Sequence, residues 1–209
     1  MSDILSLKKT AAAVLVSGNG TNLQALIDNQ QKNSDCPYKI NVVISDNPGA
    51  FALTRAEKAG IKTYVLEKGN LKGQSLRDYR TRQIMEILRK EKTDIVVLAG
   101  FLTILSESLI NEFPERIINI HPALLPDFGG PGMYGHHVHE AVLASGKKES
   151  GCTVHIVDKG CDTGRVILQR KVPVMAGDTP DSLADRIHKE EYIAIVQGTE
   201  LLAKGFNKV

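Results

Sequence analysis

Short runs rich in apolar residues alternate with segments of helical periodicity along the first half of the chain. The runs lie at 12–17, 40–45, 62–66, 95–99 and 117–120. The first of them contains no polar and apolar alternation, as expected of a strand that is covered on both faces. Between the runs, apolar residues recur at the spacing of one helix face, as in Leu23, Leu26 and Ile27. Repeated strand–helix–strand units form parallel strands with right-handed crossovers, so the pattern predicts an α/β fold with an open, doubly wound, mostly parallel sheet.

The pattern changes after residue 120. Residues 122–132 hold three prolines and three glycines, which predicts a long, stiff loop, and such loops inside compact domains are usually functional. A short helix at 138–144, strands at 153–157 and 166–174 and a last helix at about 181–204 are predicted beyond it. Because no repeat, low-complexity tract or linker divides the sequence, we predict one domain over 1–209.

Composition and charge exclude several classes of protein. Apolar residues are 42% and charged residues 24% of the 209, which excludes wholesale disorder, collagen and coiled coil. The near balance of 26 basic and 24 acidic residues disfavours a nucleic-acid partner. No apolar run reaches the ~20 residues of a membrane span, and residues 1–10 do not resemble a signal peptide. The three cysteines show no paired spacing, so a cytoplasmic protein without disulfides or a membrane partner is expected.

A glycine-bearing loop, Ser17 to Asn22 (SGNGTN), connects the first predicted strand to the first predicted helix. Backbone N–H groups at such a helix N-terminus bind anions, and Gly18 and Gly20 allow the ligand to approach closely. The spacing matches neither G-x-G-x-x-G nor a Walker A motif. It therefore favours one phosphate monoester over a dinucleotide or a nucleoside triphosphate, with a simple turn as the alternative.

A polar pair ends the fifth predicted strand. Asn119 and His121 are two residues apart, so they face the same side of the strand at the sheet edge where ligands bind. An amide donor beside an imidazole can polarise a carbonyl group and move a proton. A structural pair that locks the proline-rich loop is the alternative. In the turn 158–164, Asp162 is a candidate partner that would keep His121 protonated, unless the turn is a plain hairpin.

Five motifs occur in order along the chain: SGNGTN at 17–22, VVLAGF-x-x-IL at 96–105, NIHPALLP at 119–126, GCTVHIVD at 151–158 and D-x-G-x-x-I-x-Q at 162–169. Together they resemble the phosphoribosylglycinamide formyltransferases, which belong to the superfamily of 10-formyltetrahydrofolate hydrolases and transferases. The resemblance covers about 12–204. It implies a Rossmann-like formyltransferase fold, and a transferase that moves a formyl group from 10-formyltetrahydrofolate to the amine of glycinamide ribonucleotide in purine biosynthesis. It implies no metal, and it allows a homodimer.

The resemblance also assigns substrate-binding roles. It implies that Gly20, Thr21 and Asn22 bind the ribonucleotide phosphate. On the last helix, Glu191 and its neighbour His188 would meet the glycinamide end of the substrate, with ordinary solvent-facing side chains as the alternative at both positions.

The catalytic set and the folate site follow from the same resemblance. The catalytic residues would be Asn119, His121 and Asp162. The folate site would be lined by Arg77, Leu102, Thr103, Ile104, Leu105, Asn119, Asp158 and Asp162. Thr103 departs from the family pattern, because a basic residue is common at that position, and Arg77 stands only near the position of a folate-binding arginine.

The segment 128–139 is longer than the corresponding loop of many relatives and contains three histidines. His136, His137 and His139 have a spacing that can chelate a metal ion, but the motif holds no carboxylate or cysteine partner. The sequence favours His137 or His139 as a wall of the active cleft.

Four rival functions are weighed against this reading. A 10-formyltetrahydrofolate hydrolase usually has a further N-terminal domain, whereas about ten residues precede the first predicted strand. A methionyl-tRNA formyltransferase usually adds a basic C-terminal domain, and the near-neutral charge of this chain disfavours a tRNA partner. A non-catalytic module that binds nucleotide phosphate has no need of Asn119, His121 and Asp162 together. A nicotinamide dehydrogenase requires a third glycine and a ribose-binding carboxylate, for which Asp46 is the candidate.

Overall fold

The computed structural model describes residues 9–206, and the alternating elements predicted from the sequence are present in it. The segment 1–8, which the sequence does not identify as a signal peptide, lies outside the described residues. Within 9–206, seven strands and six helices follow in this order: β1 Thr10–Val16, α1 Thr21–Lys32, β2 Tyr38–Ser45, α2 Phe51–Lys58, β3 Lys62–Val65, α3 Gly73–Lys90, β4 Ile95–Leu98, α4 Glu107–Glu112, β5 Ile117–His121, α5 His136–Ala144, β6 Glu149–Ile156, β7 Val166–Pro173 and α6 Pro180–Phe206.

One element, α4, is missing from the sequence prediction. It has six residues, and Leu109 is its one buried side chain. A helix this short does not repeat an apolar position at helical spacing, so the pattern carries no signal for it. The other boundaries differ from the predictions by a few residues at the ends.

All seven strands form one sheet in the order β3-β2-β1-β4-β5-β6-β7. The pairs among the first five strands are parallel, whereas β6 is antiparallel to both β5 and β7. The strand order reverses at β1, so the sheet is doubly wound and mostly parallel, as predicted. The loops at the carboxyl ends of β1 and β4 therefore lie side by side, which is where open α/β sheets bind ligands.

Helices cover both faces of the sheet. Along β1, Ala12, Val14 and Val16 belong to the apolar cluster shared with α1, α2 and α6, whereas Ala13 and Leu15 belong to the cluster shared with α3 and α4. This alternation of side chains on a strand with two buried faces explains why the run contains no polar position.

The last helix, α6, packs closely on β6. A Cβ atom at Gly198 would lie 2.6 Å from Cγ1 of Val154, so the absence of a side chain there sets the distance between helix and sheet. Among the residues that the structure describes, no helix has the length and apolar character needed to cross a bilayer.

Candidate active site

The turn between β6 and β7 carries Asp162 to the end of β5. Oδ2 of Asp162 lies 3.6 Å from Nδ1 of His121, and Oδ1 lies 3.6 Å from Nε2 of His155. The N–H of Gly130 donates to Oδ2 at 3.1 Å. One carboxylate is therefore held between two imidazoles and beneath the proline-rich loop.

Burial sets the charge of this cluster. Burial lowers the pKa of His121 below its usual value, although the Asp162 carboxylate and the Phe128 carbonyl oppose the effect. Burial also pushes the pKa of Asp162 upward, but His155, His121 and the Gly130 N–H outweigh it, so this pKa is lowered. An ionised carboxylate beside a neutral imidazole follows. The prediction that Asp162 keeps His121 protonated is therefore wrong for the free protein, because the imidazole is 3% exposed.

His121 also supports the proline-rich loop. Its Nε2 donates to the carbonyl oxygen of Phe128 at 2.8 Å, and Phe128 has a positive φ of 55°. The structural and the chemical interpretations of His121 are thus compatible, because one ring nitrogen holds the loop while the other faces Asp162.

His155 is a site residue that the sequence analysis missed. Its Nδ1 donates to the carbonyl oxygen of Ile156 at 2.9 Å, and its Nε2 lies 3.2 Å from Nδ2 of Asn119. Since Nδ1 carries the proton, Nε2 accepts from the amide and fixes the orientation of Asn119. The signal was present in the GCTVHIVD motif, which lies on the strand that pairs Asn119 with His155.

The phosphate-loop candidate is held from two sides. Gly20 has φ of 77°, and a Cβ atom there would lie 2.5 Å from Cβ of Ala52, so a residue with a side chain fits neither the conformation nor the space. The N–H of Ala52 donates to the carbonyl oxygen of Gly18 at 3.1 Å. The hydroxyl of Ser17 accepts from the Leu102 N–H at 2.8 Å, which ties this loop to the one after β4.

Glu191 brings α6 to the first turn of α1. Its side chain is 5% exposed, and burial raises its pKa to about 7, opposed by a hydrogen bond with Asn22. Nε2 of His188 lies 3.8 Å from Oε2 of Glu191. Glu191 therefore does not occupy an ordinary solvent-facing position, whereas the His188 side chain beside it is 45% exposed. A buried carboxylate that lacks a cation is suited to receive one from a ligand.

The loop after β4 presents apolar side chains at the same sheet edge. Leu102 and Ile104 are 66% and 53% exposed, whereas Leu105 is buried in the core. Exposed apolar side chains beside a polar cluster are suited to contact a flat aromatic ligand. Of these residues, Leu102 and Ile104 are therefore the ones available to such a ligand.

The Thr103 hydroxyl is engaged by other side chains and does not take over the role of the basic residue that is common at this position. Its hydroxyl donates to Oδ2 of Asp46 at 2.6 Å and accepts from Nη1 of Arg80 at 2.8 Å. Nη2 of Arg80 also donates to the Asp46 carbonyl at 2.8 Å. Because the Asp46 side chain is only 8% exposed and its Oδ2 is engaged by Thr103 and Arg80, the structure disfavours Asp46 as the ribose ligand of a dehydrogenase.

The two remaining folate candidates have structural partners. Nη2 of Arg77 donates to the carbonyl oxygen of Leu105 at 3.4 Å, so Arg77 reaches the loop after β4. Oδ1 of Asp158 accepts from the Gly160 N–H at 3.0 Å and from the Thr163 hydroxyl at 2.7 Å. Asp158 thus shapes the turn that presents Asp162, as the hairpin alternative also predicts.

The three histidines of α5 diverge. Nε2 of His136 lies 2.9 Å from Oδ1 of Asp181, and Nδ1 of His137 lies 3.5 Å from Oε2 of Glu140. Both imidazoles are exposed. His139 is buried, and burial lowers its pKa to about 4, with nearby histidines adding to the effect. His139 is therefore the buried one of the three. Within 9–206, no three histidine, cysteine or acidic side chains are placed to share a metal ion.

Comparison with protein families and with curated proteins gives a consistent result. A family model described as formyl transferase matches residues 10–199. The chain is 40% identical over 208 residues to the trifunctional purine biosynthetic protein adenosine-3 of Drosophila melanogaster, which covers 97% of this chain and 14% of that protein. It is 37% identical over 200 residues to the chloroplastic phosphoribosylglycinamide formyltransferase of Vigna unguiculata, covering 96% of this chain and 63% of that protein. The chain thus spans a small part of the trifunctional relatives and somewhat under two thirds of the plant one.

Solved structures show the same likeness. Glycinamide ribonucleotide transformylase 1 from Symbiobacterium toebii superposes with a TM-score of 0.86 at 36% identity, over 94% of this chain and 89% of that one. Phosphoribosylglycinamide formyltransferase from Brucella melitensis gives a TM-score of 0.84 at 37% identity, over 94% of this chain and 96% of that one. The fold and the order of its elements are therefore shared with both.

Proposed function

The chain belongs to the formyl transferase family, and we propose that it transfers a formyl group from 10-formyltetrahydrofolate to the amine of glycinamide ribonucleotide in purine biosynthesis. The observation that carries the proposal is that Asp162 lies between His121 and His155 while His155 contacts Asn119, at the same edge of the sheet as the loop after β1. A site for a formyl carbonyl, a phosphate and an amine is thereby assembled along one sheet edge.

The nucleotide would lie between α1 and α6. Backbone N–H groups at Gly20, Thr21 and Asn22 are suited to the phosphate, because the N-terminus of α1 favours negative charge. At the opposite end of the nucleotide, Glu191 would receive the glycinamide ammonium group, which supplies the cation that its buried carboxylate lacks.

The folate would lie against the loop after β4. Leu102 and Ile104 offer their exposed apolar side chains to the pterin ring. In this family the formyl group is carried on a nitrogen of the folate, so the bound folate would bring the formyl group next to Asn119. Holding both reactants in one cleft contributes much of the rate acceleration that such a transfer requires.

Asn119 is placed to stabilise the charge that develops in the reaction. A bond forms between the amine nitrogen and the formyl carbon, and the formyl oxygen gains negative charge. Nδ2 of Asn119 carries two hydrogens, of which one is directed to His155 and the second is free for that oxygen. Removing such a donor typically costs about 10²- to 10³-fold in rate.

Asp162 and His121 would move the proton. The glycinamide nitrogen attacks as the free base, so an ammonium group held at Glu191 first releases one proton to water. After the attack this nitrogen must lose a second proton, and folate N10 must gain one as its bond to the formyl carbon breaks. Neutral His121 can accept a proton at this point, because ionised Asp162 then stabilises the imidazolium. The pair passes the proton to N10 directly or through water, and no covalent bond to the enzyme is needed.

We retain the prediction of one catalytic domain over 1–209, because every group used in this mechanism lies on one sheet, on its loops or on the helices that pack against it. The homodimer and the cytoplasmic location stay predictions, which sedimentation analysis and cell fractionation would test.

The decisive experiment offers two acceptors to one enzyme. Purified protein is given 10-formyltetrahydrofolate with and without glycinamide ribonucleotide, and the formylated nucleotide and free formate are measured separately. We expect formylated nucleotide in excess of formate when the amine is present. Release of formate at the same rate with and without the nucleotide would identify a hydrolase and overturn the proposal.

A further inference from the structure

Arg55, on α2, uses several of its side-chain nitrogens to contact the loop after β1 and the start of α1. On α2, its Nε donates to the carbonyl oxygen of Asn19 at 2.8 Å, and its Nη2 donates to Oδ1 of the same residue at 2.9 Å. Its Nη1 donates to Oε1 of Gln24, on α1, at 3.3 Å. One guanidinium group therefore joins α2, the loop and α1.

The Arg55 side chain is itself held in place. Its Cζ lies 5.0 Å from the centre of the Phe51 ring, one helical turn earlier on α2. Stacking on an aromatic ring favours one orientation of the planar guanidinium. The donors thus reach Asn19 from a side chain whose position is already restricted.

The contact falls one residue before the proposed phosphate subsite. The Asn19 carbonyl and the Gly20 N–H belong to one peptide plane, so fixing the carbonyl also fixes the direction of that N–H. The same loop is held by the Ala52 N–H at the carbonyl of Gly18. The side-chain oxygen of Asn22, in the following turn, is buried and has no hydrogen-bond partner among the described residues. The loop is therefore braced from α2 on one side and left with an unused polar atom on the other.

We propose that Arg55 is a positioning residue for phosphate binding: it holds Asn19 so that the backbone N–H groups from Gly20 to Asn22 are aligned for a phosphate monoester. The inference rests on the proposed function, since it names the residue that arranges the nucleotide subsite. Arg55 does not need to touch the ligand in this role, and the chemical step at His121 is not affected by it.

Positioning and long-range charge make different demands on Arg55. Lysine keeps the positive charge but has no planar fork, so it cannot donate to the carbonyl and the side-chain oxygen of Asn19 together. If the fork matters, Arg55→Lys and Arg55→Gln should be impaired alike. If the charge matters, Arg55→Lys should resemble the unaltered protein. Lys58→Gln, one turn farther along α2, is the matched control for removal of a nearby charge.

The measurement separates binding from chemistry. For Arg55→Lys and Arg55→Gln we expect KM for glycinamide ribonucleotide to rise about tenfold or more, as for loss of hydrogen bonds from a charged donor, with kcat within about twofold. KM for the folate should be unchanged. Titration calorimetry with ribose 5-phosphate should show the same loss of affinity, while Lys58→Gln should behave as the unaltered protein in both assays.

A second pair of variants tests the contact itself. Asn19→Ala removes the side-chain acceptor, so its effect on ribose 5-phosphate affinity should largely disappear in the Arg55→Gln background. Additive effects of the two substitutions, or an Arg55→Lys variant with normal nucleotide KM, would overturn the assignment. Thermal unfolding of each variant shows whether a loss reflects the loop or the whole fold. Failure of the unaltered protein to formylate the nucleotide would instead refute the proposed function, and the calorimetry with ribose 5-phosphate would still test Arg55.

Discussion

Oδ2 of Asp162 lies 3.6 Å from Nδ1 of His121, although the two residues come from opposite sides of the long proline-rich segment. Because β6 is antiparallel to β5, its last residue, Ile156, pairs with Ile118 near the start of β5, so the β6–β7 turn has to fold back along β5 to bring Asp162 to His121. The Asp162 carboxylate therefore lies next to the buried imidazole of His121. This pairing is the structural basis of the proton transfer in the proposed mechanism.

Loss of either member of this pair should slow turnover and leave the fold intact. Asp162→Asn and His121→Ala should each lower kcat by about 10²- to 10⁴-fold, the range for removing a general acid–base group. Steady-state kinetics measures the loss, and circular dichroism checks the fold. Asp127→Asn, which removes an exposed carboxylate paired with Lys147, is the control and should keep normal kcat. Near-normal turnover in both active-site variants would refute the assigned roles.

His155 should act through its neighbours. His155→Gln removes the ring nitrogen that accepts from the Asn119 amide, so the amide loses its fixed orientation. We expect a reduced kcat with KM for both substrates within about twofold, because the donor for the charge that develops in the transition state is no longer aligned. His137→Gln, at an exposed position on α5, is the matched control. An unchanged kcat in His155→Gln would contradict the role of His155 in orienting Asn119.

Glu191 should make the free energy of unfolding depend on pH. Burial raises its pKa to about 7 from its ordinary value of 4.5, so between these two pH values the folded state holds a proton that the unfolded state has released. Stability from this group is therefore lost as the pH rises through that window. Relative to Glu191→Gln, the unaltered protein should lose up to about 3 kcal/mol between pH 4 and pH 8. Urea unfolding of both proteins across this range measures the difference, and a constant difference would contradict the buried position of Glu191.

Gly20 should tolerate no side chain, in contrast to its neighbour in the same loop. Gly20→Ala requires a positive φ for alanine and a 2.5 Å approach to Cβ of Ala52, so α2 must move. We expect destabilisation of about 1–3 kcal/mol and an increased KM for the nucleotide. A Cβ atom at Gly18 meets no atom within 4 Å, so Gly18→Ala should cost little stability. Equal thermal unfolding temperatures for the two variants would argue against the close packing of this loop.

The order of apolar and polar positions determined the elements of this protein and the chemistry of its loops. Strands buried on both faces have a direct signature in the sequence, and so does a glycine-bearing turn before a helix. Asn119 and His121 were found because two residues on one strand share a side whatever the rest of the fold does. These features are local, and for that reason they could be predicted.

Contacts between distant segments were decided by the tertiary structure alone. The contact of His155 with Asn119 depends on the register of β5 and β6, and the use of Asp46 by Thr103 and Arg80 depends on the packing of α3. The charge of His121 depends on burial, which reversed the expected protonation. Each of these outcomes depends on which distant side chains meet and on how deeply they are buried. Both are defined only after the chain has folded.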